Sequence, residues 1–176
     1  IMSLIKLNNN SISAVTSLPF STGISEADMW RYTADTTGNV DPITSNLERV
    51  DTVFDKIGTG MSQASGIFSF PSTGIYEISF GIYSYVDGEN RDLSADIQAT
   101  TDNSSYTAYA RSVSSQFHAS SNNTSTNAIA LMMFDVTNIT THKVRFKITF
   151  VNTSAHLYGS TSQNLTWMRF TKLGDT

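Results

Sequence analysis

The sequence predicts an all-β fold, a two-sheet sandwich of the jelly-roll kind, and three observations predict it. Apolar residues recur at every second position in several runs: Tyr76, Ile78, Phe80 and Ile82; Leu93, Ala95, Ile97 and Ala99; Val144, Phe146, Ile148 and Phe150. Period two is the strand period and marks one buried face per run. Turn-forming clusters separate the runs, among them Ser72-Thr73-Gly74, Asp87-Gly88-Glu89-Asn90 and Asp102-Asn103-Ser104-Ser105. No segment sustains a helical period, and many short strands between turns specify a sandwich or jelly roll.

Taken in order, residues 1–25 differ from the remainder. They carry Ser, Thr and Asn with isolated aliphatics (Leu7, Ile12, Val15 and Leu18) ahead of Pro19 and Gly23. This composition is expected of an arm leading into a domain that spans 26–176. The segment Glu26 to Thr33 is expected to be the first strand, with a loop through Gly38 to Pro42. Asn46 to Asp51 is expected to form one helical turn or an edge segment. Phe68 and Phe70 alternate with Ser69 before Pro71, which lacks an amide donor and belongs at a strand end. After the two alternating runs at 76–82 and 93–99, Tyr106 to Val113 continues the strand pattern. Residues 114–127, mostly Ser, Asn and Thr, are expected to form the longest loop. Ala128 to Val136 is an apolar run, and Leu165 to Leu173 is expected to close the domain.

Composition bounds the function classes. The 176 residues suffice for one domain with an adequate core and no covalent staples. There are no cysteines, which removes disulfides, thiolate metal sites and thiol nucleophiles together and favours a bacterial, viral or cytosolically assembled protein. A net charge of −4, from 11 basic and 15 acidic residues, lacks the basic footprint that nucleic acid or an anionic membrane requires. No apolar run approaches the ~20 residues of a bilayer span, and the opening Ile1 to Leu7 is too short for a secretion signal.

The run Ile129-Ala130-Leu131-Met132-Met133-Phe134 is apolar at both parities. A sandwich strand with one wet face alternates, so a strand apolar on both faces calls for a second covering surface. A neighbouring copy of the same chain supplies it most simply.

The chemistry-bearing residues do not assemble into a catalytic motif. His118, His142 and His156 show no ligand spacing and are expected at the surface. Asp87, Glu89, Asn90, Asp92 and Asp96 gather oxygens around one turn without the spacing of a calcium loop, and an acidic hairpin accounts for them. Lys143, Arg145 and Lys147 share one strand face, expected to be solvated. Gly58-Thr59-Gly60 lacks the strand-and-helix setting of a phosphate loop. No nucleophile elbow is present, while the spacing of paired carboxylates for glycoside hydrolysis is set only by the fold. No catalytic residue, metal site or cofactor is therefore assigned.

The stretch Gly66-Ile67-Phe68-Ser69-Phe70-Pro71-Ser72-Thr73-Gly74-Ile75-Tyr76-Glu77-Ile78-Ser79-Phe80 resembles the signature of the complement C-one-q globular head, within the tumour necrosis factor-like jelly-roll superfamily. It departs at Ile78, where an aromatic is usual, and the upstream pattern is met only loosely around Phe54 and Gly60. The closing stretch Leu165 to Leu173 resembles that family's last strand. A second resemblance rests on Trp30-Arg31-Tyr32-Thr33, Asp41-Pro42-Ile43, Glu48-Arg49-Val50-Asp51, Ile57-Gly58-Thr59-Gly60-Met61 and the opening Leu4 to Thr16. These are similar to virion proteins of tailed phages of marine bacteria.

The resemblance implies a ten-stranded, two-sheet jelly roll in a homotrimer whose inner sheets pack around the axis. It implies Tyr83, Tyr85 and Trp167 as interface candidates beside Ile129, Leu131, Met133 and Phe134. It further implies a non-enzymatic virion protein, assembled in the host cytoplasm, that decorates the capsid. The arm would grip other virion proteins such as the major capsid protein. The rival expectation is a fibre tip or adhesin that reads a host surface glycan, with the 114–127 loop as its contact surface.

Overall fold

The computed structural model describes residues 23–118 and 122–176, and the expectations placed on Leu7, Ile12, Val15 and Leu18 lie outside the described residues. Thirteen strands are present among the described residues, and no helix. They are β1 (Ala27–Tyr32), β2 (Thr36–Thr37), β3 (Leu47–Arg49), β4 (Lys56–Ile57), β5 (Ser62–Ala64), β6 (Ile67–Ser69) and β7 (Gly74–Val86). There follow β8 (Asn90–Thr100), β9 (Thr107–Gln116), β10 (Thr124–Val136), β11 (Lys143–Phe150), β12 (His156–Leu157) and β13 (Trp167–Gly174). Ten of these have three or more residues, which is the strand number the resemblance implies.

The strands form two antiparallel sheets. In the larger sheet β7 pairs with β10 along one edge and with β13 along the other, and β13 pairs with β1. β3 and β4 share the outer edge of β1, while β12 and β2 extend the sheet past the end of β13. The smaller sheet runs β5-β6-β11-β8-β9. Asn46 to Asp51, left between a helical turn and an edge segment by its sequence, contains the edge strand β3.

The period-two runs face each other across the sandwich. Tyr76, Ile78, Phe80 and Ile82 come from the larger sheet, and Leu93, Ala95, Ile97, Val144, Phe146 and Ile148 from the smaller one, all essentially inaccessible. Phe68 sits at the centre, with ring centroids 5.4 Å from Trp30, 5.5 Å from Phe146 and 5.1 Å from Phe170. Offset and edge-on rings at this spacing add about 0.5–1.5 kcal/mol per pair beyond area burial. The β5–β6 reversal has two residues, Ser65 at φ 48° and Gly66 at φ 76°, both in the left-handed region that two-residue hairpins require. A Cβ at Gly66 would lie 1.7 Å from the Ile43 carbonyl oxygen, so only glycine fits there.

One polar cluster ties the β4–β5 connection to β1. The buried Asp28 carboxylate accepts from the Met61 amide at 2.7 Å, the Trp30 indole N–H at 3.0 Å and the Arg49 guanidinium at 3.0 Å. Arg49 also lies over the Trp30 ring, 4.8 Å from its centroid. Glu26 accepts from the amides of Thr59 and Gly60. The Thr59, Gly60 and Met61 amides are thus spent on carboxylates of β1 and its approach. Breaking so buried an ion pair by removing one partner costs about 3–5 kcal/mol.

Candidate interaction face

The register of the larger sheet fixes which residues share its outward face, away from the core. Residues paired across an antiparallel ladder point to the same side, so each rung can be read across the strands. One rung runs Ile57 (β4), Ala27 (β1), Thr171 (β13), Glu77 (β7), Met133 (β10). The next runs Met29, Arg169, Ser79, Leu131, and the third Glu48, Arg31, Trp167, Gly81, Ile129. Above them Tyr83 lies beside Asn127, and then Thr37, His156, Tyr85 and Ser125 follow in line.

Down the β10 side of this face Ile129, Leu131 and Met133 are 56%, 57% and 67% exposed. Their even-numbered neighbours Ala128 and Ala130 are buried, and Met132 and Phe134 pack against the core. The strand that is apolar at both parities therefore has one face on the core and one bare. Phe134 is corrected by the same parity. It sits on the core side, its ring 5.8 Å from Phe70 and stacked at 5.5 Å on His142, and does not join Ile129, Leu131 and Met133.

Beside that strip Trp167 lies flat across Gly81, where a Cβ would come within 2.4 Å of the indole. The absence of a side chain at Gly81 is what lets the ring lie down and present its other surface. Trp167 and Tyr83 are half-buried, and with Ile129, Leu165, Asn127 and Asn164 they bound a pocket of about 220 Å³. Tyr85 stacks on His156 at 4.5 Å and packs with Tyr158 at 4.9 Å, and the His156 ring meets the Thr37 hydroxyl at 3.2 Å. The charges nearest the centre of the face are Arg169 and Glu77, paired at 2.5 Å, with Arg169 also donating to Ser79. Six of the seven interface candidates, Tyr83, Tyr85, Ile129, Leu131, Met133 and Trp167, thus share one face.

The remaining chemistry is structural in its geometry. Asp96 is fully buried under Arg111, which reaches it at 2.6 Å, and Asn90 is buried against Gln116. The acidic turn is therefore split between two inward-bound groups and an exposed Glu89–Arg91 pair. No group of three or more metal-ligating side chains occurs among the described residues. Lys147 pairs with Asp41, Arg145 with Gln98 and the Tyr106 ring, and Lys143 with Ser69 and the Ile139 carbonyl. His118 is exposed and His156 half-buried, as surface placement anticipates, but His142 is buried between Thr137 and Thr141. The expected 114–127 loop is also corrected: β9 continues to Gln116 and β10 begins at Thr124. Gln116 donates to the carbonyls of Ser84 and Thr124, and the Ser114 and Thr126 hydroxyls lie 2.6 Å apart. These contacts hold the two strands side by side.

The whole arrangement has clear counterparts among solved structures. Murine APRIL superimposes with a TM-score of 0.59 at 15% identity, over 84% of this chain and 98% of that one. Eiger TNF from S. frugiperda gives 0.61 at 11% identity, over 85% and 93%. The fold is a tumour necrosis factor-like jelly roll. At these identities the likeness is one of fold alone. No protein-family model matches the sequence, and no curated protein does. Within this jelly roll, Tyr109 is the feature sequence reasoning passed over. It is an exposed aromatic at the open edge of β9, beside Met132, Met133 and Phe134.

Proposed function

We propose that this chain is a non-enzymatic, homotrimeric structural protein of a tailed-phage virion, decorating or reinforcing the capsid, with residues 1–25 as its attachment arm. The observation that carries the self-association is the bare strip Ile129–Leu131–Met133 beside Trp167 and Tyr83. Contiguous apolar surface on one face of a protein marks an interaction site, and aromatics and Met concentrate at interface cores. Tumour necrosis factor-like folds usually form homotrimers, which gives the strip a partner of the same kind. Placement on a virion rests on the resemblance of the motifs from Trp30-Arg31-Tyr32-Thr33 to Ile57-Gly58-Thr59-Gly60-Met61 to those of phage virion proteins. The rival reading, a glycan-binding tip, places its contact surface on residues 114–127, of which 114–116 and 124–127 belong to β9 and β10.

Light scattering on the purified chain tests the assembly: three times 19.3 kDa is expected, stable on dilution. A monomer would remove the trimer. Deleting residues 1–25 tests the arm. The truncated chain should remain trimeric yet fail to bind arm-free capsids, and undiminished capsid binding would overturn the attachment role.

A further inference from the structure

The smaller sheet has its own outward face, on the far side of the sandwich from the Ile129 strip, formed by the residues that alternate with its core positions. One rung of it runs Ser62 (β5), Ser69 (β6), Lys143 (β11), Thr100 (β8). The next holds Arg145, Gln98 and Ala108, and the third Lys147, Asp96 and Arg111. Two of these cations are neutralised, Arg111 by the fully buried Asp96 and Lys147 by Asp41. The other two are held by neutral groups, and among the described residues neither pairs with a carboxylate. Arg145 donates through Nε to the Gln98 side-chain oxygen at 2.7 Å, and its guanidinium lies over the Tyr106 ring, 4.1 Å from the centroid. Lys143 donates to the Ser69 hydroxyl at 3.0 Å and to the Ile139 carbonyl at 2.7 Å. Asp102, in the turn leading to Tyr106, is engaged by the Thr100 hydroxyl and the amides of Ser104 and Ser105.

Residues two apart on one strand face stand about 7 Å apart, so Arg145 and Lys143 place two pinned, uncompensated charges side by side. The Arg145 Nη groups make no hydrogen bond among the described residues, and a guanidinium fork matches the two oxygens of a carboxylate. The Lys143 ammonium adds a point charge beside it. The surroundings select what carries the carboxylate. A polyanion is disfavoured by the neutralised flank and by the net charge of −4. A peptide is recognised through apolar anchors or an open strand edge, whereas the rung from Thr100 to Ser62 presents hydroxyls and one ammonium on a paired part of the sheet. Ser69 and Ser62 lie one and two strand spacings beyond Lys143, about 5 and 10 Å, the reach of one or two sugar rings. We propose that Arg145 and Lys143 bind the carboxylate of an acidic saccharide, with Ser69 and Ser62 meeting its hydroxyls.

Saturation-transfer NMR titrations of the whole chain with glucuronate, glucose and acetate separate the sugar from its charge. Glucuronate should bind, glucose should give no signal at the same concentrations, and acetate should bind about tenfold more weakly, because it lacks the hydroxyls. Lys143→Gln and Arg145→Gln should each weaken glucuronate about tenfold or more. Arg91→Gln, the same change of net charge at the exposed Glu89 pair, should leave it unchanged. Ser69→Ala should weaken glucuronate and spare acetate. No glucuronate binding, or binding that survives both Lys143→Gln and Arg145→Gln, overturns the site. Acetate binding as tightly as glucuronate leaves a site for any free carboxylate and overturns the saccharide. An equal loss in Arg91→Gln would be a diffuse charge effect and overturn it as well. Should Arg145→Gln fail to fold, Lys143→Gln and Ser69→Ala carry the same decision. The site shares no residue with the Ile129 strip, so Leu131→Glu should bind glucuronate as the wild type does. A monomeric wild type that binds would defeat the trimer alone, and a trimer that does not bind would defeat this site alone.

Discussion

At the residue scale, the turn after β8 shows how much a single carboxylate organises. Asp102 accepts from the Thr100 hydroxyl at 2.6 Å and from the amides of Ser104 and Ser105, each at 2.8 Å. The Thr100 hydroxyl first, and the two amides after it, hold the Asp102 carboxyl well below the usual aspartate range. A group with a depressed folded pKa stabilises the protein fully above its unfolded pKa, about 3.9 for Asp, and loses that contribution as pH falls below it. Asp102→Ala should therefore lower the urea midpoint at pH 6, and the gap between variant and wild type should narrow towards pH 2.5. Equal gaps at both pH values would show that the turn does not depend on the charge.

At the scale of the element, β10 separates two roles by parity. Ala128 and Ala130 are buried in the core, while Ile129, Leu131 and Met133 stand bare on the other side. Leu131→Glu places a charge on the bare side, where a substitution costs a monomer within about 0.5 kcal/mol. It should leave the strand signature of the circular dichroism spectrum unchanged and reduce the solution mass to 19.3 kDa. A trimer that survives Leu131→Glu would place the interface elsewhere. The same parity explains what the sequence made legible. β7, β8 and β11 each bury one face against the opposite sheet, so their period-two pattern is written in apolar residues. β9 and the start of β10 are edge segments with wet faces. Ser114, Ser115, Ser125 and Thr126 fit a strand without an apolar period, and their composition imitates a loop. The even number of Phe134 alone separates it from Ile129, Leu131 and Met133. Numbering does not place Tyr109, because a bulge shifts the parity by one and leaves no mark in the spacing.

At the scale of the whole molecule, stability and association are one equilibrium if the bare face is covered only by another copy. The core of a single chain is complete, since the aromatic cluster around Phe68 and both sets of alternating residues are fully buried without a partner. The partner's contribution is therefore to the outward face alone, and it appears as mass action. For three unfolded chains in equilibrium with one folded trimer, each tenfold rise in concentration stabilises the assembly by about 0.9 kcal/mol per chain. For a domain of this size that raises Tm by about 2–4 °C per decade of concentration. Differential scanning calorimetry across two decades, with reversibility checked by rescanning, should show that slope in the wild type. It should show none in Leu131→Glu, whose transition reports the isolated jelly roll. A wild-type Tm independent of concentration, at concentrations where light scattering gives the trimer mass, would mean that the trimer dissociates before its chains unfold, and that the face adds no stability to the fold.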